Sequence, residues 1–279
     1  MIRPLALFGV VMFLCFCALP ANADEVVVNT GNPDGLMATA SRPSSPGKIE
    51  IETADDFVLT QTTSITGGSF TGLVPTGSTI EGVTIEFYHV FPVDSTSPPD
   101  GRVNTRANSP SDVEFSDRST GSSSLTFSTT VLTSSFTAAN SVINGINPKP
   151  NQFTGGEGAV TGQEVQFNFS INPDTLPADH YFFVPQVELS DGTFLWLSAP
   201  KPIVPPGTPF PAGSTDLQTW IRNSDLDPDW SRVGTDITHQ GPFNASFSLE
   251  GTAVPEPCTL LLTGAGLLGL MLKRRARAS

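Results

Sequence analysis

The densest run of metal-type oxygen ligands in the chain is Asp225-Leu-Asp227-Pro-Asp229, with Asp236 at the twelfth position counted from Asp225. Carboxylates at alternate positions of a loop, closed by another at position twelve, are the spacing of oxygen-ligand calcium loops. The fit is partial. The sixth position, where such a loop turns on glycine, holds Trp230; position twelve is Asp rather than Glu; and no flanking helix can be read around it. Asp and Pro are also ordinary turn residues, so a solvated acidic turn competes with a calcium loop at Asp225, Asp227, Asp229 and Asp236. Calcium is the one cofactor the sequence suggests. Trp220 and Trp230 nearby offer either a sugar-stacking surface or two buried sheet residues.

Other chemistry is harder to place. Asp55 and Asp56 are adjacent, and in a strand their side chains point to opposite faces, which spoils an acid/base pair. Glycoside hydrolysis needs two carboxyl groups roughly 5–10 Å apart, and 27 acidic residues supply too many pairs to choose one. The three histidines, His89, His180 and His239, have no His-x-x-x-His spacing. His89 shares an alternating face with Phe87 and Phe91, and Asp179-His180 reads as a turn before a strand. No Gly-x-Ser-x-Gly elbow and no glycine-rich phosphate loop is present.

The elements that must hold these residues are strands. Val83-Ile85-Phe87, Leu125-Phe127-Thr129-Val131, Val165-Phe167-Phe169-Ile171 and Phe247-Leu249 alternate with polar neighbours at period two. Asp56-Phe57-Val58-Leu59, Tyr181-Phe182-Phe183-Val184 and Phe194-Leu195-Trp196-Leu197 are continuous runs suited to burial on both faces. Gly67-Gly68, Pro98-Pro99, Gly155-Gly156, Asp191-Gly192 and Pro205-Pro206-Gly207 punctuate them, and Asp191-Gly192 between two apolar runs predicts a hairpin. About ten short strands without helical periodicity predict an all-β body, an antiparallel β-sandwich or jelly-roll-like arrangement, over 24–253. Segments 94–112 and 199–215, rich in Pro, Gly and Ser, are expected as surface loops. One domain is expected; a division into two would fall near 137–160.

The ends carry a different message. Arg3, an apolar run from Leu5 to Leu19, and Ala21-Asn22-Ala23 make a signal peptide over 1–23, cut after Ala23 and handled by the Sec translocon and signal peptidase. At the other end Cys258–Leu272 is apolar or small throughout, and Lys273, Arg274, Arg275 and Arg277 follow. Fifteen helical residues span about 22 Å, short of a hydrocarbon core near 30 Å. Snorkelling cations and local thinning close the gap, and the cationic flank stays in the cytoplasm. Both ends therefore place the body outside.

Val254-Pro255-Glu256-Pro257, a Leu/Gly-rich helix over 258–272 and a basic end over 273–279 together resemble the PEP-CTERM sorting tail of Gram-negative bacteria, covering 254–279. The two prolines keep the motif extended and readable outside the membrane. The resemblance implies processing by an exosortase and transient anchoring in the inner membrane, then release to the cell surface or an exopolysaccharide matrix. Cys258 departs from the Ser or Ala more usual at that position.

Composition narrows the body further. The chain has 27 acidic and 14 basic residues, a net charge of −13, and five of its cations (Arg3, Lys273, Arg274, Arg275, Arg277) lie in the terminal segments. So acidic a body excludes nucleic acid as a partner. All three cysteines, Cys15, Cys17 and Cys258, are terminal too, which excludes disulfides and thiolate chemistry from the body. The leading expectation is a non-enzymatic surface or matrix protein, structural or glycan-binding. A secreted carbohydrate-active hydrolase or lyase is the rival, marked by a cleft holding two or three carboxylates beside Trp196, Trp220 or Trp230. A lectin-like module that binds glycan without turnover is the third.

Overall fold

The structure is a computed structural model that describes residues 25–203, 210 and 215–254. The signal segment, including Ala21 and Ala23, and the tail from Pro255 through Glu256, Pro257, Lys273, Arg274, Arg275 and Arg277 lie outside the described residues. In chain order the strands are β1 (Glu25–Asn29), β2 (Met37–Ala40), β3 (Ile51–Leu59), β4 (Thr63–Val74), β5 (Ile80–His89), β6 (Ser116–Ser119), β7 (Leu125–Ala138) and β8 (Asn140–Val142). They continue as β9 (Val160–Leu176), β10 (Asp179–Leu189), β11 (Leu195–Ala199), β12 (Trp220–Asn223), β13 (Ser231–Arg232), β14 (Asn244–Ala245) and β15 (Phe247–Ala253). A π-helical turn, Val233–Ile237, follows β13.

The chain is all-β, in two largely antiparallel sheets. In the first, β4 lies along β9 on one edge and along β15 and then β11 on the other; β7, β1, β2, β8 and β14 extend it outward. The second runs β13-β12-β3-β10-β5-β6. Among the described residues no helix is long and apolar enough to cross a membrane.

Both sheets contribute to one core. Phe57, Val83, Ile85, Phe87 and Phe183 come from the second sheet, and Phe70, Phe167, Phe169, Trp196, Phe247 and Leu249 from the first. Phe70 stacks on Phe167 with centroids 4.8 Å apart, and Phe183 stacks on Phe247 at 5.0 Å and on Phe169 at 5.9 Å. Each such pair adds about 0.5–1.5 kcal/mol beyond the area it buries. The period-two residues of β5, β9 and β15 face this core as expected. Strand β7 departs from the pattern. Leu125 and Ala138 at its two ends are buried, but Val131 is 54% exposed, because β7 pairs with β9 alone and its middle leaves the core.

Four sequence expectations change in the fold. Asp191-Gly192 makes a turn, with Gly192 at φ +73°, yet the strands it joins do not pair: β10 belongs to the second sheet and β11 to the first. Two runs that are apolar on both faces each need two strand neighbours, and the core between the sheets accepts both. Gly67-Gly68 is not a turn but the middle of β4, clamped between β9 and β15. A Cβ on Gly68 would overlap the Ser248 carbonyl oxygen, and one on Gly67 would lie 2.5 Å from that of Phe169. Gly68→Ala is therefore expected to cost about 1–3 kcal/mol, read as a lower denaturant midpoint. Segment 94–112 changes only toward its end: most of it is an exposed loop, as expected, but Arg106, Ser109, Ser111 and Asp112 are buried over the second sheet's outer face. Finally, His180 sits within β10 rather than in a turn before it.

Candidate acidic cleft on the second sheet

The outward positions of the second sheet carry polar residues at period two: Glu52 on β3, Glu86 and Tyr88 on β5, Gln186 on β10 and Arg222 on β12. Register places Arg222 directly opposite Glu52. Glu52, Glu86, Tyr88 and Arg222, with Glu50, Asp112, Glu114 and Asp227 from the neighbouring segments, line a cleft of about 400 Å³.

Arg222 organises it. Its Nε donates to Glu52 Oε2, its Nη2 donates to Glu52 Oε1 at 3.1 Å and to Tyr88 Oη at 3.0 Å, and its Nη1 donates to the Asp112 carbonyl at 3.0 Å. The same Nη1 lies 2.8 Å from Asp227 Oδ1, and the guanidinium sits 4.4 Å over the Trp230 ring. Tyr88 Oη donates to Glu52 Oε1 at 2.6 Å and lies 3.4 Å from Glu86 Oε2, so those two oxygens are within about 6 Å of each other. Gln186 Nε2 donates to Glu50 Oε1 at 3.1 Å.

The charges are unevenly held. Burial, then Glu52, Glu50 and Glu114, push Glu86 well above the ordinary carboxylate range against the pull of Arg222. Burial and Glu52 also raise Glu50, and burial with the neighbouring glutamates pushes the Tyr88 phenol far up. A proton-holding carboxyl near an arginine-held carboxylate is the pairing that general acid catalysis requires.

The four predicted calcium carboxylates are not brought together. Asp225 is exposed, and its carbonyl accepts from Arg102 Nη1 at 3.3 Å. Asp227 turns to Arg222 at the rim of the cleft. Asp229 is buried against Arg106 at 3.0 Å and Arg102 at 3.4 Å. Asp236 takes Arg232 through Nε at 2.9 Å and Nη2 at 2.7 Å. Arginines stand where a cation would, and among the described residues no group of three or more acidic or histidine side chains has the geometry of a metal site. The tryptophans are a correction as well. Trp196, Trp220 and Trp230 are each 1% exposed or less and present no stacking surface. Their indoles donate to the carbonyls of Ser246, Leu217 and Ser111.

Asp55 and Asp56 lie mid-strand and fully buried, and they engage different partners as alternation requires. Asp55 accepts from Thr219 Oγ1 at 3.0 Å and from the Ala245 amide at 2.9 Å; Asp56 accepts from the Leu217 amide at 3.0 Å and lies 2.6 Å from His180 Nε2. Burial raises both, Asp55 the more strongly because Asp56 adds to it while His180 pulls Asp56 back down. His89 packs between Phe115 and Tyr181, with Nδ1 2.5 Å from Asp94.

Two opposed sets of carboxyls fix the pH response. Glu50, Glu86, Asp55 and Asp56 bind protons more tightly in the fold than in the unfolded chain, so stability falls as pH rises above about 4 through their raised values. For Asp112, burial opposes the charge, but the amides of Ser97 and Thr96 and the Arg106 guanidinium outweigh it; for Asp236, the side chain and amide of Arg232 and the Asn104 amide do the same. Their contribution is complete above about pH 4 and is lost as pH falls through their lowered values. The melting temperature is expected to peak in mildly acidic buffer and decline toward pH 8. A steady rise from pH 5 to pH 8 in differential scanning calorimetry would contradict the assignment.

Sequence reasoning missed Arg222, Glu52, Glu86 and Tyr88. The available signal was a cation inside the apolar run Trp220-Ile-Arg-Asn223, since a buried arginine requires a buried carboxylate. No family model, no curated protein and no solved structure matches this chain.

Proposed function

We propose that this chain is an exported cell-surface or exopolysaccharide-matrix protein, sorted and processed by an exosortase through Val254-Pro255-Glu256-Pro257, and that its body is a jelly-roll-like β-sandwich binding matrix glycan without turnover. The observation that carries the sorting half is the pairing of the chain up to the first residue of the motif. Strand β15 stops at Ala253, and the Val254 amide donates to the Thr62 carbonyl at 2.9 Å, so the motif begins as the chain leaves a firmly paired strand. A processing enzyme that reads residues C-terminal to β15 need not unfold the body. The mass of the C-terminal peptide from the envelope and from the medium tests this. The released form is expected to end close to Pro257, and replacing Pro255-Glu256-Pro257 by three alanines is expected to hold the chain in the membrane fraction through Ser279. A chain ending at Ser279 in both fractions would overturn it.

The acidic cleft supports a second reading, a secreted carbohydrate-active enzyme, because Glu86, which burial pushes toward its protonated form, and Glu52, paired with Arg222, lie within one sugar's reach of each other. Under that reading Glu86→Gln abolishes reducing-sugar release from extracted matrix and leaves glycan binding intact. Binding with no release by the parent protein favours the first reading.

A further inference from the structure

A second cleft, of about 470 Å³, opens among Asn104, Asn151, Gln152, Phe153, the π-helical turn and His239. Its frame is rigid. Asp236 accepts from Asn104 Nδ2 at 2.9 Å as well as from the amide, Nε and Nη2 of Arg232. Asn104 Oδ1 in turn accepts the Asn151 amide at 2.8 Å, and the amides of Thr154 and Gly155 donate to the Ile237 carbonyl. These ties hold two residues in the left-handed region, Asn151 at φ 63° and His239 at φ 60°, beside a π-helical turn. Backbone of this kind, held in place by its surroundings, collects at functional sites.

The frame presents a flat apolar face next to planar polar groups. Phe153 is 60% exposed, and its ring stacks on His239 with centroids 5.0 Å apart and planes 18° from parallel. Among the described residues, the side-chain amides of Asn151 and Gln152 and Nη1 of Arg232 make no hydrogen bond within the fold. An exposed ring beside amide and guanidinium donors matches a pyranose, whose C–H face stacks while its equatorial hydroxyls pair with planar side chains. The net charge of −13 disfavours a phosphorylated or strongly anionic ligand.

We infer that this cleft is a glycan-binding site that stacks a neutral hexose unit of a polysaccharide on Phe153 and His239 and hydrogen-bonds it through Asn151, Gln152 and Arg232. The inference rests on the glycan-binding reading of the body and gives it a location and a ligand class. Asp236 is a positioning residue: its carboxylate already accepts from Asn104 Nδ2 and from the amide, Nε and Nη2 of Arg232.

The full-length chain in detergent, run in affinity gels containing dextran, mixed-linkage β-glucan, mannan or polygalacturonate, tests it. At least one neutral polymer is expected to retard the protein, and polygalacturonate is not. Phe153→Ala and Gln152→Ala are expected to weaken that retardation at least about tenfold, with melting temperature unchanged because both side chains are exposed. Val131→Thr, on the exposed middle of β7, is the control and keeps full retardation. Retardation that survives both Phe153→Ala and Gln152→Ala would place the glycan elsewhere on the body, overturning this site and sparing the glycan-binding reading. Absence of retardation by every neutral polymer would overturn both.

Discussion

Replacing Arg222 by alanine is expected to destabilise the body by about 3–5 kcal/mol, the cost of leaving a buried charge without its partner. Glu52 is 5% exposed and loses the guanidinium that meets both its oxygens, Tyr88 loses a donor, and the Asp112 carbonyl loses its hydrogen bond across 110 residues of sequence. The contact with Trp230 is lost as well. Equilibrium urea unfolding followed by tryptophan fluorescence measures the loss. Removing both charges should cost much less than removing one, so Arg222→Met with Glu52→Gln is expected to recover most of the stability. Equal losses in the single and double variants would show that the packing of Arg222, rather than its charge, holds the second sheet's outer face.

The other large effect belongs to Phe183. It is fully buried and packs against Phe70, Phe87, Phe169, Trp196 and Phe247, so it links the second sheet to four strands of the first. Phe183→Ala removes those contacts and opens a cavity that rigid strands on both sides cannot close. About 3–5 kcal/mol is expected, enough to unfold a marginally stable domain. Phe183→Leu, which keeps most of the volume, should cost far less. Phe153→Ala, at an exposed ring, should cost nearly nothing. A similar loss for Phe183→Ala and Phe153→Ala would place the core elsewhere.

The all-β class and most of the core follow from strand periodicity. Period two in β5, β9 and β15 names the buried face, because adjacent side chains on a strand must point to opposite sides. Continuous apolar runs likewise mark β3, β10 and β11 as interior strands. The opposite placement of Asp55 and Asp56 followed from the same geometry. Composition alone excluded disulfides from the body.

Which strands pair was decided only by the tertiary structure. Asp191-Gly192 carries a local turn preference, but the partners of β10 and β11 are distant in sequence, and burial of two double-faced apolar strands outweighs a two-residue turn. The acidic cleft was illegible for a related reason. Glu52, Glu86, Tyr88 and Arg222 come from three strands, and no spacing along the chain records their meeting. The Asp225–Asp229 run shows the converse. A spacing suited to calcium is divided among Arg102, Arg106 and Arg222 once segment 94–112 brings the first two, and β12 the third, to carboxylates that a linear reading left unpaired.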